Sequence, residues 1–215
     1  GAVSILGSSN TADYAIRSQI SGTNNILKGQ ASSVSAFNTV SGYGNEGTNI
    51  SRSTIVGTRN DLKNGEDNVV IGDFHNFDGG KHNVVLGSMA AEEKDVTKSF
   101  TNVFDGSTST YTVKELVATR RNTANVENAV MLGYNTDVTR NGGVALGSES
   151  IASVDKGIAG YDPTTKAAST DGSPTWKSTA AAISVGDSTG TTVLTRQITN
   201  VAAGSEDTDA VNVAQ

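Results

Sequence analysis

His75 and His82 are the whole imidazole supply of the chain. They stand seven residues apart in stretches rich in asparagine, aspartate and glycine. Imidazoles in such places are metal ligands or solvated turn residues. A serine triad would also need a carboxylate to orient the base and an oxyanion hole, and no segment marks a strained nucleophile. Both histidines therefore read as turn or surface residues, with a metal pair or a site shared around a symmetry axis as the alternative. The stretch Gly42-Tyr43-Gly44-Asn45-Glu46-Gly47 satisfies G-x-G-x-x-G, but it lacks the following helix and the βαβ setting that let those glycines cradle phosphate. It reads as turn chemistry. Asp105, Asp137, Asp155 and Asp171 are dispersed and match no calcium loop. Glu206, Asp207 and Asp209 suit helix capping, or a cation site once tripled by symmetry. Trp176, the single tryptophan, and Tyr161 could form a recognition surface, though burial of the large ring is the simpler reading. The residues point to no catalysis, no metal and no cofactor.

Composition narrows the partners. The formal charge is −6 with an isoelectric point near 4.9, and the densest basic cluster is Arg120-Arg121, so nucleic acid is excluded. Absence of cysteine excludes disulfides and thiolate zinc sites. No apolar run reaches the ~18 residues of a membrane span. The start on Gly1, without a basic or apolar leader, reads as part of a longer chain.

The elements that must position all these residues come from a repeat. An aliphatic residue, a spacer, a second aliphatic residue and glycine recur as Val69-Val70-Ile71-Gly72, Val84-Val85-Leu86-Gly87, Val130-Met131-Leu132-Gly133, Val144-Ala145-Leu146-Gly147 and Ile183-Ser184-Val185-Gly186. Looser copies are Ser4-Ile5-Leu6-Gly7 and Thr54-Ile55-Val56-Gly57. Glycines 57, 72 and 87 stand 15 apart, and 133 and 147 stand 14 apart. Fixed-interval self-similarity is the mark of a solenoid. A unit this short suits two strands and two turns, stacked coil on coil as parallel strands. Alternation puts Val69 with Ile71, and Val84 with Leu86, on one face, which is expected to be buried. Gly57, Gly72, Gly87, Gly133, Gly147 and Gly186 are expected to serve as structural turn glycines, because glycine reaches positive φ at little steric cost. Ala15-Ile16-Arg17-Ser18 and Ile26-Leu27-Lys28-Gly29 read as shorter, distorted coils. With 24 glycines and only 5% aromatic residues, one narrow solenoid buries little area, and association with identical copies is the simplest remedy.

Two breaks interrupt the repeat. The interval of 46 between Gly87 and Gly133 marks residues 90–127 as an insertion. Phe100, Val103 and Phe104 sit at helical spacing there, and Thr112 with Glu115 matches a capping box ahead of Arg120-Arg121, so helix is expected. Tyr111-Thr112-Val113 would serve a strand equally well. The second break, residues 160–182, holds Pro163 and Pro174, both prolines of the chain, and reads as a hairpin or ordered loop. From Asp207 the pattern of N-cap residues before Ala210-Val211-Asn212-Val213-Ala214-Gln215 predicts the start of a helix.

The closing stretch Arg196-Gln197-Ile198-Thr199-Asn200-Val201-Ala202-Ala203-Gly204 and Asp207-Thr208-Asp209-Ala210-Val211-Asn212-Val213-Ala214-Gln215 resembles the neck of bacterial trimeric autotransporter adhesins. The glycine-ended coils resemble the YadA-like head of the same family. The resemblance implies an all-β, left-handed parallel β-roll in a homotrimer, with a C-terminal neck leading into a coiled coil. It divides the chain into a head at 1–159, a neck insertion at 160–182, and the neck with the start of the stalk at 183–215. Neck residues are then Arg196, Gln197, Ile198, Asn200, Asp207, Thr208, Asp209, Val211 and Asn212. It also implies display from the outer membrane on a bacterial cell surface. The place five before the glycine, often asparagine in that family, holds Asn128 here but Asp67, His82 and Gly142 elsewhere.

The reading that follows is a non-enzymatic adhesin that attaches to host cells, extracellular matrix or other microbes. Weak contacts suffice when three linked copies rebind together. If one region carries specificity it is 92–127, with Lys114, Arg120 and Arg121 as candidate ligand contacts; the same insertion could instead brace neighbouring chains. The alternative function is a rigid spacer without a ligand of its own. A left-handed β-helix acyltransferase also stacks parallel coils, but it needs hexapeptide periodicity and a catalytic histidine, and a spacing of 14 or 15 fits it poorly.

Overall fold

The computed structural model describes residues 1–214, and among these the fold is all-β with no helix. A nine-stranded parallel sheet runs through Val3–Ser8, Ser18–Thr23, Thr39–Tyr43, Thr54–Thr58, Val69–Ile71, Val84–Leu86, Val130–Leu132, Val144–Leu146 and Ile183–Ser184, in chain order. A second parallel sheet holds Thr11–Asp13, Ile26–Lys28, Glu46–Thr48, Asp61–Lys63 and Asn76–Asp78, again in chain order. Strict succession in both sheets is what a solenoid requires, because each coil contributes one strand to each wall. The third wall is narrow: Ala36, Ser51, Glu66, Lys81 and Glu127 are joined by single parallel bridges.

Each coil bends through left-handed backbone at its corners. In the coil after Gly57 these are Arg59 (φ 53°), Asn64 (φ 53°) and Asp67 (φ 54°). Asparagine and aspartate tolerate that region better than other side chains, which accounts for the polar turn residues between copies of the repeat. The positions five before the glycine, Asp67, His82 and Asn128, are such corners, so what matters there is tolerance of positive φ.

The interior is one side chain deep. Its residues are the central members of the repeat, Ile20, Val40, Ile55, Val70, Val85, Met131 and Ala145, facing Leu27, Leu62 and Phe77 from the second wall. This reverses the expected faces: Val70 and Val85 are each 1% exposed, whereas Ile71 and Leu86 are each 42% exposed. The cavity between the walls takes a single row from each, so the two flanking aliphatics of every strand point out. Where the second wall carries Gly47 in place of leucine, the Ile50 side chain fills the gap; a Cβ on Gly47 would stand 2.5 Å from it.

The first forty residues hold one coil of ordinary length, Gly7 to Gly22, and one longer, distorted coil, Gly22 to Gly42, and not the shorter coils expected. Ile20 and Val40 occupy the inward positions, in Gln19-Ile20-Ser21-Gly22 and Thr39-Val40-Ser41-Gly42, and pair with Ile5 and Ile55 in turn. One aliphatic flanked by serine, glutamine or threonine is enough, since only the central residue is buried. Ala15–Ile16 belongs to the third wall and Ile26–Lys28 to the second. The coil between Gly22 and Gly42 is longer because Gln30 and Ser33 close a small turn of their own.

The insertion is an antiparallel hairpin, Ala91–Thr101 with Thr108–Ala118, and not a helix. Thr112 and Glu115 lie on a strand opposite Thr97 and Lys94; eleven cross-strand pairs outweigh one local capping pattern. It is also shorter than the interval suggested. Glu127 already bridges Lys81 and Val126 is in the core, so the coil resumes near Asn122. In the second break, Tyr161–Asp162 pairs antiparallel with Ala167–Ala168.

Candidate interaction surfaces

The glycines, asparagines and flanking aliphatics of each coil form three sets of rows along the stack. The glycine row begins at Gly7, Gly22 and Gly42 and continues through Gly57, Gly72, Gly87 and Gly133, with φ from 111° to 150°. A Cβ at Gly57 would run into the carbonyl oxygen of Gly72, and one at Gly72 into that of Gly87. Close coil-to-coil approach, as well as positive φ, therefore requires glycine. Gly147 has φ 92° and faces the Arg196 guanidinium. Gly186 lies outside the left-handed region and abuts the Leu194 carbonyl instead.

Three residues after Gly22, Gly42 and Gly57 stand the buried asparagines Asn25, Asn45 and Asn60, with Asn10 at the head of the row. Asn45 Oδ1 accepts from the Asn60 backbone N–H at 3.1 Å and from Asn60 Nδ2 at 2.9 Å, while its own Nδ2 donates to the Gly57 carbonyl at 2.7 Å. Asn25 makes the same set one coil earlier. Buried amides are satisfied only because they are stacked at one coil's spacing. A second row, Asn38, Ser53, Asn68 and Asn83, lies four places before the glycines and is linked through Ser53 N–H to Asn38 Oδ1 at 3.0 Å and Asn83 Nδ2 to Asn68 Oδ1 at 2.9 Å.

His75 takes the next place in the first row, and so is buried and not a surface residue. Its backbone N–H donates to Asn60 Oδ1 at 3.0 Å, and Nε2 lies 2.5 Å from the Gly87 carbonyl, where the asparagines place their amide nitrogen. Burial pushes its pKa below the ordinary 6.5, against the opposing pull of Gly87 and Asn122. The ring is neutral at pH 7 with Nε2 protonated. The signal was in the spacing, since His75 follows Gly72 by three as Asn60 follows Gly57. His82 is an exposed corner residue 3.6 Å from Asp67.

The outward aliphatics form two parallel rows on the nine-stranded sheet. One runs Thr54, Val69, Val84, Val130 and Val144, and the other Val56, Ile71, Leu86, Leu132 and Leu146. Above them these positions are polar in two successive coils, at Gln19, Thr39, Ser21 and Ser41, before Leu6 in the first. A continuous apolar band of this kind marks an association surface.

Of the three cations expected to meet a ligand, Lys114 is on the exposed hairpin, 3.8 Å from both Glu93 and Asp95. Arg120 and Arg121 sit at its root. Arg120 pairs with Asp137 at 3.4 Å and donates to the Asn135 carbonyl; Arg121 donates to Asn76 Oδ1 at 2.5 Å. With Arg59, which donates to the Leu116 carbonyl at 3.0 Å, they fasten the hairpin to the roll.

At the C-terminal end Arg196 reaches back to the last coil, donating to Ser150 Oγ at 3.1 Å and to the Ser148 carbonyl at 2.6 Å. Asp209 accepts from the Ser205 and Glu206 N–H groups at 3.0 and 3.2 Å, and Asn212 Nδ2 donates to the Val201 carbonyl at 3.2 Å. Gln197, Ile198, Asn200, Asp207, Thr208 and Val211 are exposed. The helix expected from Ala210 is absent among the described residues, and Gln215 lies outside them. So short a run, with Val211 and Val213 exposed, does not overcome the cost of helix nucleation. Trp176 is half-buried against Gly160, and Tyr161 is exposed.

Residues 197–215 match the family described as the coiled stalk of trimeric autotransporter adhesin. The autotransporter adhesin BadA of Bartonella henselae is 60% identical over 72 residues, 34% of this chain and 2% of that protein. Both matches are to autotransporter adhesins. The chain spans only a small fraction of that relative's length. Among solved structures, the polySia-specific acetyltransferase NeuO covers 70% of this chain, and 73% of NeuO is covered, at 14% identity and a TM-score of 0.25; that likeness carries no argument. No helix among the described residues is long and apolar enough to cross a membrane. The described residues include no group of three or more histidines or carboxylates placed to hold a metal ion.

Proposed function

We propose that this chain is the head and neck of a homotrimeric fibre displayed from the bacterial outer membrane, and that it attaches the cell to host cells, extracellular matrix or other microbes. The reading rests on the paired valine and leucine rows outside the nine-stranded sheet. They are apolar in register over successive coils and have no reason to be so in a lone roll. Three left-handed rolls sharing that face would bury it, and the neck would hand the chains on to a coiled coil. Attachment would use the remaining walls and the outer side of the hairpin, where Lys114 is exposed. Arg120 and Arg121, engaged with the roll, would position the hairpin. Triplicate display makes individually weak contacts sufficient.

Sedimentation of the full chain tests the assembly: three copies are expected, and a monodisperse single chain refutes it. Attachment is tested by beads carrying the trimer on matrix proteins, glycans and cells, compared with a form in which 91–118 is replaced by a short turn. Equal adhesion by a folded trimer lacking the hairpin would remove the hairpin from the binding surface, and failure of the intact trimer to adhere anywhere would leave the spacer reading.

A further inference from the structure

The outer half of the hairpin is two-faced. On one side the opposed pairs are Thr97 with Thr112, Ser99 with Thr110, and Thr101 with Thr108. The other side presents Val96 opposite Val113, Tyr111 opposite Lys98 and Phe100 opposite Ser109, with Lys98 neutralised by Glu115 at 3.1 Å. Small hydroxyl residues on one face and the large apolar side chains on the other suit a sheet that is solvated on one side and packed on the other.

Val96 and Val113 on that face are half-buried, and beyond them it lies open. The attachments to the roll are confined to the root, through Arg59, Arg120 and Arg121, and Glu115, on the apolar side, is the residue turned toward Arg59, 3.6 Å away. Further out Tyr111 is 53% and Phe100 61% exposed, and Phe104 at the tip is 96% exposed. Eleven residues span about 36 Å, and the bonds that fasten the ribbon to the roll are made at Glu115, Leu116, Arg120 and Arg121. An isolated two-stranded ribbon is marginal in water, and this one needs a surface to lie on.

We infer that the hairpin is an arm whose Val96, Val113, Tyr111 and Phe100 face packs on the roll of a neighbouring copy of this chain. A second copy fits better than a foreign protein because the arm is continuous with the face through which copies are proposed to meet. Its first strand starts four residues after Gly87, at the end of Val84–Leu86, whose Val84 and Leu86 belong to the outward apolar rows. The chain returns from the arm at Asn122, beside His75 and Asn76, and passes Val126 and Glu127 before it enters Val130–Leu132, the next strand of that sheet. The outward hydroxyl face, with Lys114 beside it, is left to solvent and ligand. The inference rests on the trimeric reading above and adds the arm's contact to it.

A photoreactive benzophenone amino acid placed at Tyr111 in the full chain, with Thr110 as the opposite-face control, tests it. Illumination is expected to give covalent dimers between chains from position 111 and none from 110. In parallel, Phe100→Ser with Tyr111→Thr is expected to speed subunit exchange between tagged trimers by roughly tenfold or more. A chain that sediments as a monomer defeats the trimer itself. A trimer that gives no interchain adduct from 111 and exchanges at the wild-type rate defeats only the arm. Adducts from 111 to an added cell-surface protein would overturn it in favour of a foreign occupant.

Discussion

Replacing Asn45 by alanine probes the stacked amides most directly. In the folded chain Asn45 is fully buried, and its side chain satisfies the Asn60 backbone N–H at 3.1 Å and the Gly57 carbonyl at 2.7 Å. Asn45→Ala removes both. The Asn60 N–H then has no acceptor and no water within reach, while Asn60 Nδ2 keeps its bond to the Gly72 carbonyl. One orphaned donor costs ~1–3 kcal/mol, and the lost bond to the Gly57 carbonyl adds ~0.5–1.5, giving a loss of about 3 kcal/mol. The same change at Asn10, at the open end of the row and reachable by water, is expected to cost well under half as much. Urea unfolding at one fixed protein concentration reads the difference, since linkage to assembly makes midpoints concentration-dependent. If Asn45→Ala and Asn10→Ala shift the midpoint equally, or neither shifts it, the stacked amides are not what holds the coils in register.

Three further expectations follow from the same geometry. Ile55→Ala, in the one-layer interior, should cost ~2–5 kcal/mol in urea titration, whereas Leu86→Asp on the outer face should leave each chain folded by circular dichroism and abolish association in sedimentation. The reverse pattern would mean the two faces have been assigned backwards. Gly57→Ala, with φ 136° and the Gly72 carbonyl in its path, should lower stability by at least ~2 kcal/mol, against a few tenths for Gly172→Ala, where the space is open. His75 is held below its ordinary pKa of 6.5 by burial, so the unfolded chain binds the extra proton more readily. Its contribution is therefore fully present above about pH 6.5 and is lost as pH falls below that value. His75→Asn, which restores the amide of the row, should flatten the fall in melting temperature between pH 7 and 5, and an unchanged slope would show that His75 is not its source.

Individual residues show why part of this was legible and part was not. Gly72 and Gly87, 15 residues apart, announce a stacked coil, because a periodic backbone geometry needs a periodic residue. His75 hid because one substitution in a row of asparagines looks like an unrelated residue until the row is aligned on its glycines. Thr112 and Glu115 suggested a helix cap because capping is local, while their partners Thr97 and Lys94 are fifteen and twenty-one positions away, and pairing at that distance leaves no local mark. Ala210 to Ala214 has helix-compatible residues, yet in a single chain Val211 and Val213 stay exposed.

The amino-acid order determined on its own that the chain is built of short strands, where the coils end, and that each strand alternates in and out. It could not set the sign of that alternation. Val69-Val70-Ile71 has aliphatic residues at all three places, and a period of two is unchanged when inside and outside are exchanged. Only the opposing wall, with Leu62 and Phe77 leaving room for a single row, turned Val70 inward and left Val69 and Ile71 facing out.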